Sequence, residues 1–141
     1  MRNYWYWLYT SYLFDATKVN NSSKGLLDLK TNITDFYRIS DTTAIASNGD
    51  NSKSYFFDAT KFSNGFTELT NYSYVGVLSN TTIVLTSNNE NFLLDTTKIN
   101  DWNNNLVPMT KISISEFRSV SNTMAIFTEG VTNEGFLLQY Q

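Results

Sequence analysis

Carboxylates are the side chains of this sequence that could carry acid–base chemistry, and the 141 residues include 13 Asp and Glu. Four of them lie in polar segments that we predict to be equivalent hairpin loops at one edge of the molecule: Asp50, Glu90, Glu129 and Glu134. Two carboxyl groups within about 5–10 Å of each other are what glycoside hydrolysis needs. Neither residue type nor spacing singles out such a pair. A glycoside hydrolase that uses loop carboxylates is therefore the alternative interpretation and not the leading one.

Cysteine and histidine are both absent, and this excludes many kinds of site. Without Cys there is no disulfide, zinc–thiolate centre or thiol nucleophile, and without His there is no Ser-His-Asp triad or imidazole base. The oxygen-rich residues 48–52 lack the ligand spacing of an EF-hand loop. We therefore predict that the protein is not an enzyme and has no metal site and no cofactor.

The distribution of charge argues against two kinds of partner. The net charge is −3 and the ten Lys and Arg residues are scattered along the chain, whereas phosphate binding requires a basic surface. No apolar run approaches the roughly 20 residues that a membrane-spanning helix needs. We predict neither nucleic-acid binding nor a membrane span.

A tryptophan in a polar loop is the best candidate for contact with a ligand. Trp102 lies among Asn and Asp residues, where it could stack on a sugar ring while Asp101 and Asn103 bind the sugar hydroxyls. A Trp that folds back onto the sheet is the competing interpretation. The other candidate ligand-binding residues lie in the two longest predicted hairpin loops, namely Asp50, Asn51 and Glu129.

The elements that must position these loops come from an internal repeat. One motif, an aromatic or apolar strand that ends in Asp-Ala/Thr-Thr-Lys, occupies residues 12–19, 55–62 and 92–99 and begins again at residue 136, at intervals of about 40 residues. The repeated Asp15, Asp58 and Asp95 could accept from a sugar hydroxyl or bind a cation. We favour a structural role, in which each carboxylate accepts from a nearby backbone N–H in an Asx-turn.

A second motif recurs in phase with the first, at residues 39–47, 78–86 and 120–128. In each copy a Ser-Asp/Asn-Thr turn leads into a β-branched strand, followed by a polar hairpin loop and the aromatic strand. Two weaker strands complete each unit, and the aromatic side chains should fill the space between units. This predicts one all-β domain over residues 1–141, made of tandem four-stranded antiparallel units at about 1–32, 33–71, 72–110 and 111–141.

The order of turn, strand, polar loop and aromatic strand resembles the blades of β-propellers with chromosome-condensation-regulator repeats. The chain lacks the Gly-rich signatures of that family, so the resemblance implies architecture and no activity. It implies a propeller-like arrangement of about 3.5 blades, whereas propellers close with four to eight. The ring would close by oligomerisation or belong to a larger propeller; an open stack is the remaining alternative.

The function that we predict is that of a non-catalytic binding or structural module whose loops contact a glycan or a protein. Propeller-like repeats also occur in phage host-attachment proteins, and the polar surface without Cys or His is compatible with a virion or cell-surface component. A pure self-assembly element that associates with its own copies is a third hypothesis. Fold alone does not choose among them.

Overall fold

The computed structural model describes residues 11–14, 26–29, 31–48, 53–64, 66–111 and 113–140. The chain is all-β, with 64% of these residues in strands that pair as antiparallel sheets. Both the all-β class and the tandem antiparallel sheets that the sequence predicts are therefore confirmed. The described strands form no closed barrel.

Four sheets follow one another along the chain, and each pairs only strands that are adjacent in sequence. Sheet I contains β1 (Tyr12–Phe14) and β2 (Leu26–Asp28). Sheet II contains β3 (Ile33–Arg38), β4 (Thr43–Asn48), β5 (Lys53–Asp58) and β6 (Phe66–Thr70). Sheet III contains β7 (Ser73–Ser79), β8 (Thr82–Ser87), β9 (Glu90–Asp95) and β10 (Leu106–Thr110). Sheet IV contains β11 (Ile114–Ser121), β12 (Met124–Glu129) and β13 (Gly135–Gln139).

Two short 3-10 segments, Ala59–Asn64 and Thr96–Asn104, join the third and fourth strands of sheets II and III. The sequence pattern did not predict them, because neither segment has the apolar period of an α-helix.

The hairpin between β8 and β9 is also tighter than predicted. Glu90 and Asn91, expected in the loop, belong to β9, and only Asn88 and Asn89 form the turn.

The repeated Ser and Thr residues bring the two sequence motifs together at one end of sheets II, III and IV, the turn edge. In each copy the Ser hydroxyl accepts from the backbone N–H two residues later, at 3.3 Å. The carbonyl of that later residue, a Thr, accepts in turn from the backbone N–H that follows the third strand. These second bonds are Ala59 to Thr42 and Thr96 to Thr81, both 2.7 Å, and Tyr140 to Thr123, 2.6 Å. The motifs recur in phase because they hydrogen-bond to each other.

The Asx-turn predicted for the repeated Asp is confirmed in both described copies. Asp58 Oδ1 accepts from Thr60 N at 2.9 Å and from Thr60 Oγ1 at 2.6 Å. Asp95 Oδ1 accepts from Thr97 N at 3.0 Å and from Thr97 Oγ1 at 2.6 Å. The carboxylate thereby caps the 3-10 segment that follows the strand. Asp15 lies outside the described residues.

Removal of this cap should weaken the fold by a modest and measurable amount. We expect Asp95→Ala to lower the free energy of unfolding by about 1 kcal/mol, because two donors of Thr97 lose their acceptor. Asp95→Asn keeps one acceptor oxygen and should lose less. Urea denaturation followed by circular dichroism measures both variants, and equal losses in the two would contradict a capping role.

The sheets pack face to face in chain order. Because successive side chains of a strand point to opposite faces, one strand can contact the sheets on both sides. In β4, Ile45 packs in the cluster between sheets II and III, whereas Ala46 packs in the cluster between sheets I and II. In β8, Leu85 packs against sheet II and Val84 against sheet IV. The continuous apolar runs of the inner strands therefore contribute side chains to the clusters on both faces of the sheet.

Three clusters hold the stack together. The cluster between sheets I and II contains Leu29, Ala46, Tyr55 and Phe57. The cluster between sheets II and III contains Ile39, Ile45, Phe56, Leu69, Ile83, Leu85, Leu94 and Ile99. The cluster between sheets III and IV contains Leu78, Val84, Leu93, Phe117, Ala125 and Phe127. The aromatic rings of β5 thus fill the space between sheets, as the sequence predicted.

Candidate binding groove at the hairpin edge

An open groove of about 750 Å³ lies at the hairpin edge, the end of the sheets opposite the Asp turns. It forms where the connection between β6 and β7 comes beside the hairpin between β8 and β9. Its lining residues are Asn71, Tyr72, Ser73, Thr86, Ser87, Asn88 and Asn89. The groove therefore combines amides, hydroxyls and one aromatic ring.

Three asparagines of the groove have left-handed backbone conformations. The φ angles are 68° at Asn71, 51° at Asn88 and 63° at Asn89. Two consecutive positive φ values in a two-residue loop match the type I′ turn, which suits the twist of a β-hairpin and favours Asn and Gly. Local backbone geometry thus explains why Asn occupies these positions, and the side chains of all three residues are exposed.

Tyr72 is the aromatic residue of the groove, and two further rings support it. Its ring centroid lies 5.7 Å from that of Phe92 and 5.3 Å from that of Trp102, with edge-to-face angles of 75° and 83°. Such edge-to-face contacts are favourable arrangements for aromatic side chains. Tyr72 remains half-buried, so its position is fixed while part of it lines the groove.

The structure places the predicted Trp102 site behind this groove rather than at its surface. Trp102 is half-buried and packs on the cluster between sheets II and III, which is the folded-back arrangement. Asp101 is exposed, and its carboxylate accepts from Asn104 Nδ2 at 2.8 Å. Asn103 is exposed on the same segment. Sequence reasoning missed Tyr72, whose only signal is its place beside Asn71 in a short connection between two predicted strands.

Of the other predicted site residues, Glu129 lies in the described part of the chain. Asp50 and Asn51 lie outside the described residues. Glu129 is at the end of β12, and its carboxylate turns into its own hairpin, where it accepts from the backbone N–H groups of Val131 and Thr132 and from the Thr132 hydroxyl. Hydrogen bonds from the Thr132 hydroxyl and backbone N–H lower the pKa of Glu129. This arrangement organises the loop.

Loss of charge at Glu129 should weaken the fold in acid. A pKa below the ordinary value means that the ionised form is favoured in the folded state, so its contribution is fully present above the unfolded pKa. This contribution is lost as the pH falls below about 4, through the lower pKa of the folded state. We expect Glu129→Gln to flatten that part of the stability profile, measured by urea denaturation between pH 3 and 7. An unchanged slope would contradict this role.

Of the two remaining hairpin carboxylates, Glu90 is the first residue of β9 in sheet III, and Glu134 precedes β13 in sheet IV. Glu90 Oε1 lies 3.3 Å from the ammonium group of Lys111. Glu134 is exposed. Among the residues that the structure describes, no group of three or more Asp and Glu is arranged to hold a metal ion.

Comparisons with family models, curated proteins and solved structures found no significant match for this chain. Within the described ranges, none of the helices is long and apolar enough to cross a membrane.

Proposed function

We propose that this protein is a non-catalytic binding module that recognises a glycan in the groove at the hairpin edge. The observation that supports the proposal is the combination of turn amides and hydroxyls with Tyr72 in one open groove. Sugars present hydroxyls that bind amides, and they have apolar faces that pack on aromatic rings. A volume of about 750 Å³ falls in the range of small-ligand sites.

The sheet arrangement that we propose for this module is propeller-like. Sheets II and III are four-stranded meanders in which strand order follows the chain, and each packs face to face on the next. Repeated blades of this kind bring equivalent loops to one edge, where they can be shared by a ligand. The groove fits this scheme, since it combines loops from two successive units, the connection after β6 and the hairpin after β8.

The test uses a substitution that removes amides while keeping the turn. Asn88→Gly combined with Asn89→Gly retains residues that adopt positive φ, so the hairpin should persist. NMR titration with a panel of soluble oligosaccharides should show shifts confined to the groove in the unchanged protein. We expect the double variant to bind about tenfold more weakly, because two hydrogen-bonding groups are lost.

A matched control lies at the opposite edge of the sheets. Asp41→Ala alters an exposed polar groove lined by Arg38, Ile39, Ser40, Thr42 and Asn80. This substitution should leave oligosaccharide binding unchanged. Absence of shifts with every oligosaccharide at millimolar concentration would overturn the proposal, as would equal weakening by the control. Release of reducing ends would instead support the hydrolase alternative.

A further inference from the structure

The outward face of sheet IV carries large apolar side chains that no described residue covers. Val120 is 58% exposed, Ile126 is 52% exposed and Leu137 is 63% exposed. They lie on β11, β12 and β13, on the side away from the cluster shared with sheet III. We call these three residues the terminal face.

The equivalent positions of the other repeat units indicate what kind of surface contacts the terminal face. The residues at the same repeat positions are Ile39, Ile45 and Phe56 in sheet II, and Leu78, Val84 and Leu93 in sheet III. All six are buried, each by the sheet that follows in the chain. The same three positions therefore form two interfaces within the chain and are open in sheet IV.

Sheet I has the pattern of a covering sheet. In the two interfaces within the chain, the third strand of the following sheet helps to cover these positions. Leu94 does so in sheet III and Leu138 does so in sheet IV. The backbone register of β1 and β2, with Tyr12 opposite Asp28 and Phe14 opposite Leu26, matches that of β5 and β6, with Tyr55 opposite Glu68 and Phe57 opposite Phe66. In the repeat, positions 12 and 14 of the backbone therefore correspond to positions 55 and 57.

We propose that the terminal face docks on sheet I of a second copy of this chain, and that it extends the stack from one molecule to the next. This contact joins two different surfaces, so it is a head-to-tail interface that closes into a ring or continues as an open filament. The occupant is a second copy because sheet I offers the same register that covers this face elsewhere in the chain. The proposal does not depend on the glycan groove.

The first test is the dependence of mass on concentration. Light scattering should show the unchanged protein growing from monomer to dimer or larger species as its concentration rises. We expect Ile126→Asp to remain monomeric over at least a tenfold wider concentration range, because docking would take the introduced carboxylate out of water. Val131→Asp is the matched control, since Val131 is 82% exposed in the hairpin loop and outside the terminal face. A monomer at every concentration, or equal effects of both variants, would overturn the proposal.

The second test identifies the partner surface by crosslinking and introduces no charge. The chain has no cysteine, so single thiols can be introduced as unique labels. A mixture of Leu137→Cys and Phe14→Cys proteins treated with a short bismaleimide should give a crosslinked mixed dimer. Leu137→Cys alone should give at least fivefold less crosslinked product. The choice of sheet I would be overturned if Leu137→Cys crosslinked preferentially with itself. It would also be overturned if Leu137→Cys crosslinked only with an unrelated β-sheet protein added to the mixture.

Discussion

Truncation of Leu93 to Ala is expected to lower the free energy of unfolding by about 2–5 kcal/mol, whereas the same truncation at Leu137 should change it by less than about 0.5 kcal/mol. The two residues hold the same position in the repeat and lose the same atoms. They differ in burial, since Leu93 is 4% exposed between sheets III and IV and Leu137 is 63% exposed. Leu137→Ala is therefore an internal control for Leu93→Ala.

The Leu93 comparison should be made by urea denaturation at a protein concentration low enough to keep the chain monomeric. Under that condition the cavity left between the two sheets explains the full loss at Leu93. Equal losses at both positions would mean that Leu137 is also buried in the monomer, which contradicts the exposure of the terminal face. Little loss at Leu93 would contradict the packing of sheet IV on sheet III.

The second large effect is expected at Gly76 of β7, which lies against Phe117 of β11. A Cβ atom at this position would lie 2.3 Å from Phe117 Cδ1 and 2.9 Å from Phe117 Cγ. Because Phe117 is buried in the cluster between the sheets, its ring has little room to move. We expect Gly76→Ala to lower the free energy of unfolding by about 1–3 kcal/mol through overpacking.

The control for Gly76 is Gly135→Ala, because a Cβ at Gly135 would meet no heavy atom within 4 Å. Without a clash, the added methyl group restricts the unfolded chain and should leave stability unchanged or slightly raised. Combining Gly76→Ala with Phe117→Leu should recover part of the loss, and a double-mutant cycle measures that coupling. Additive losses in the cycle would contradict a direct contact between the two residues.

Both predictions concern the same interface, and its integrity matters for the proposed assembly. Sheet IV presents the terminal face only while its inner face remains packed on sheet III. Weakening at Leu93 or Gly76 should therefore reduce self-association as well as stability. A variant that loses association while it retains full stability, such as Ile126→Asp, separates the two effects.

The candidate binding groove shows where sequence reasoning was insufficient. The hairpin Asn residues were visible in the sequence as residues that tolerate positive φ, and the structure confirms left-handed backbone at Asn88 and Asn89. Tyr72 was not recognised, since a short connection between two strands gives no pattern of its own. Trp102 was recognised as unusual, but its side chain packs against Tyr72. Whether a loop aromatic faces solvent depends on neighbours that are distant in sequence.

Features that rest on local interactions could be predicted from the sequence. Side-chain alternation along a strand has a period of two, so the strands and their meander order could be predicted from residues near one another. The Asp58 and Asp95 turns were equally predictable, because each carboxylate bonds to donors only two residues away. These contacts do not require knowledge of the rest of the fold.

Which apolar positions are covered, and which loops meet, depends on how the sheets pack on one another. Ile45, Val84 and Ile126 are equivalent in sequence, yet only the first two are buried, because sheet III covers Ile45 and sheet IV covers Val84. The groove likewise exists because packing places the connection after β6 beside the hairpin after β8. A repeated sequence specifies each sheet in the same way, whereas the environment of each sheet depends on its place in the stack.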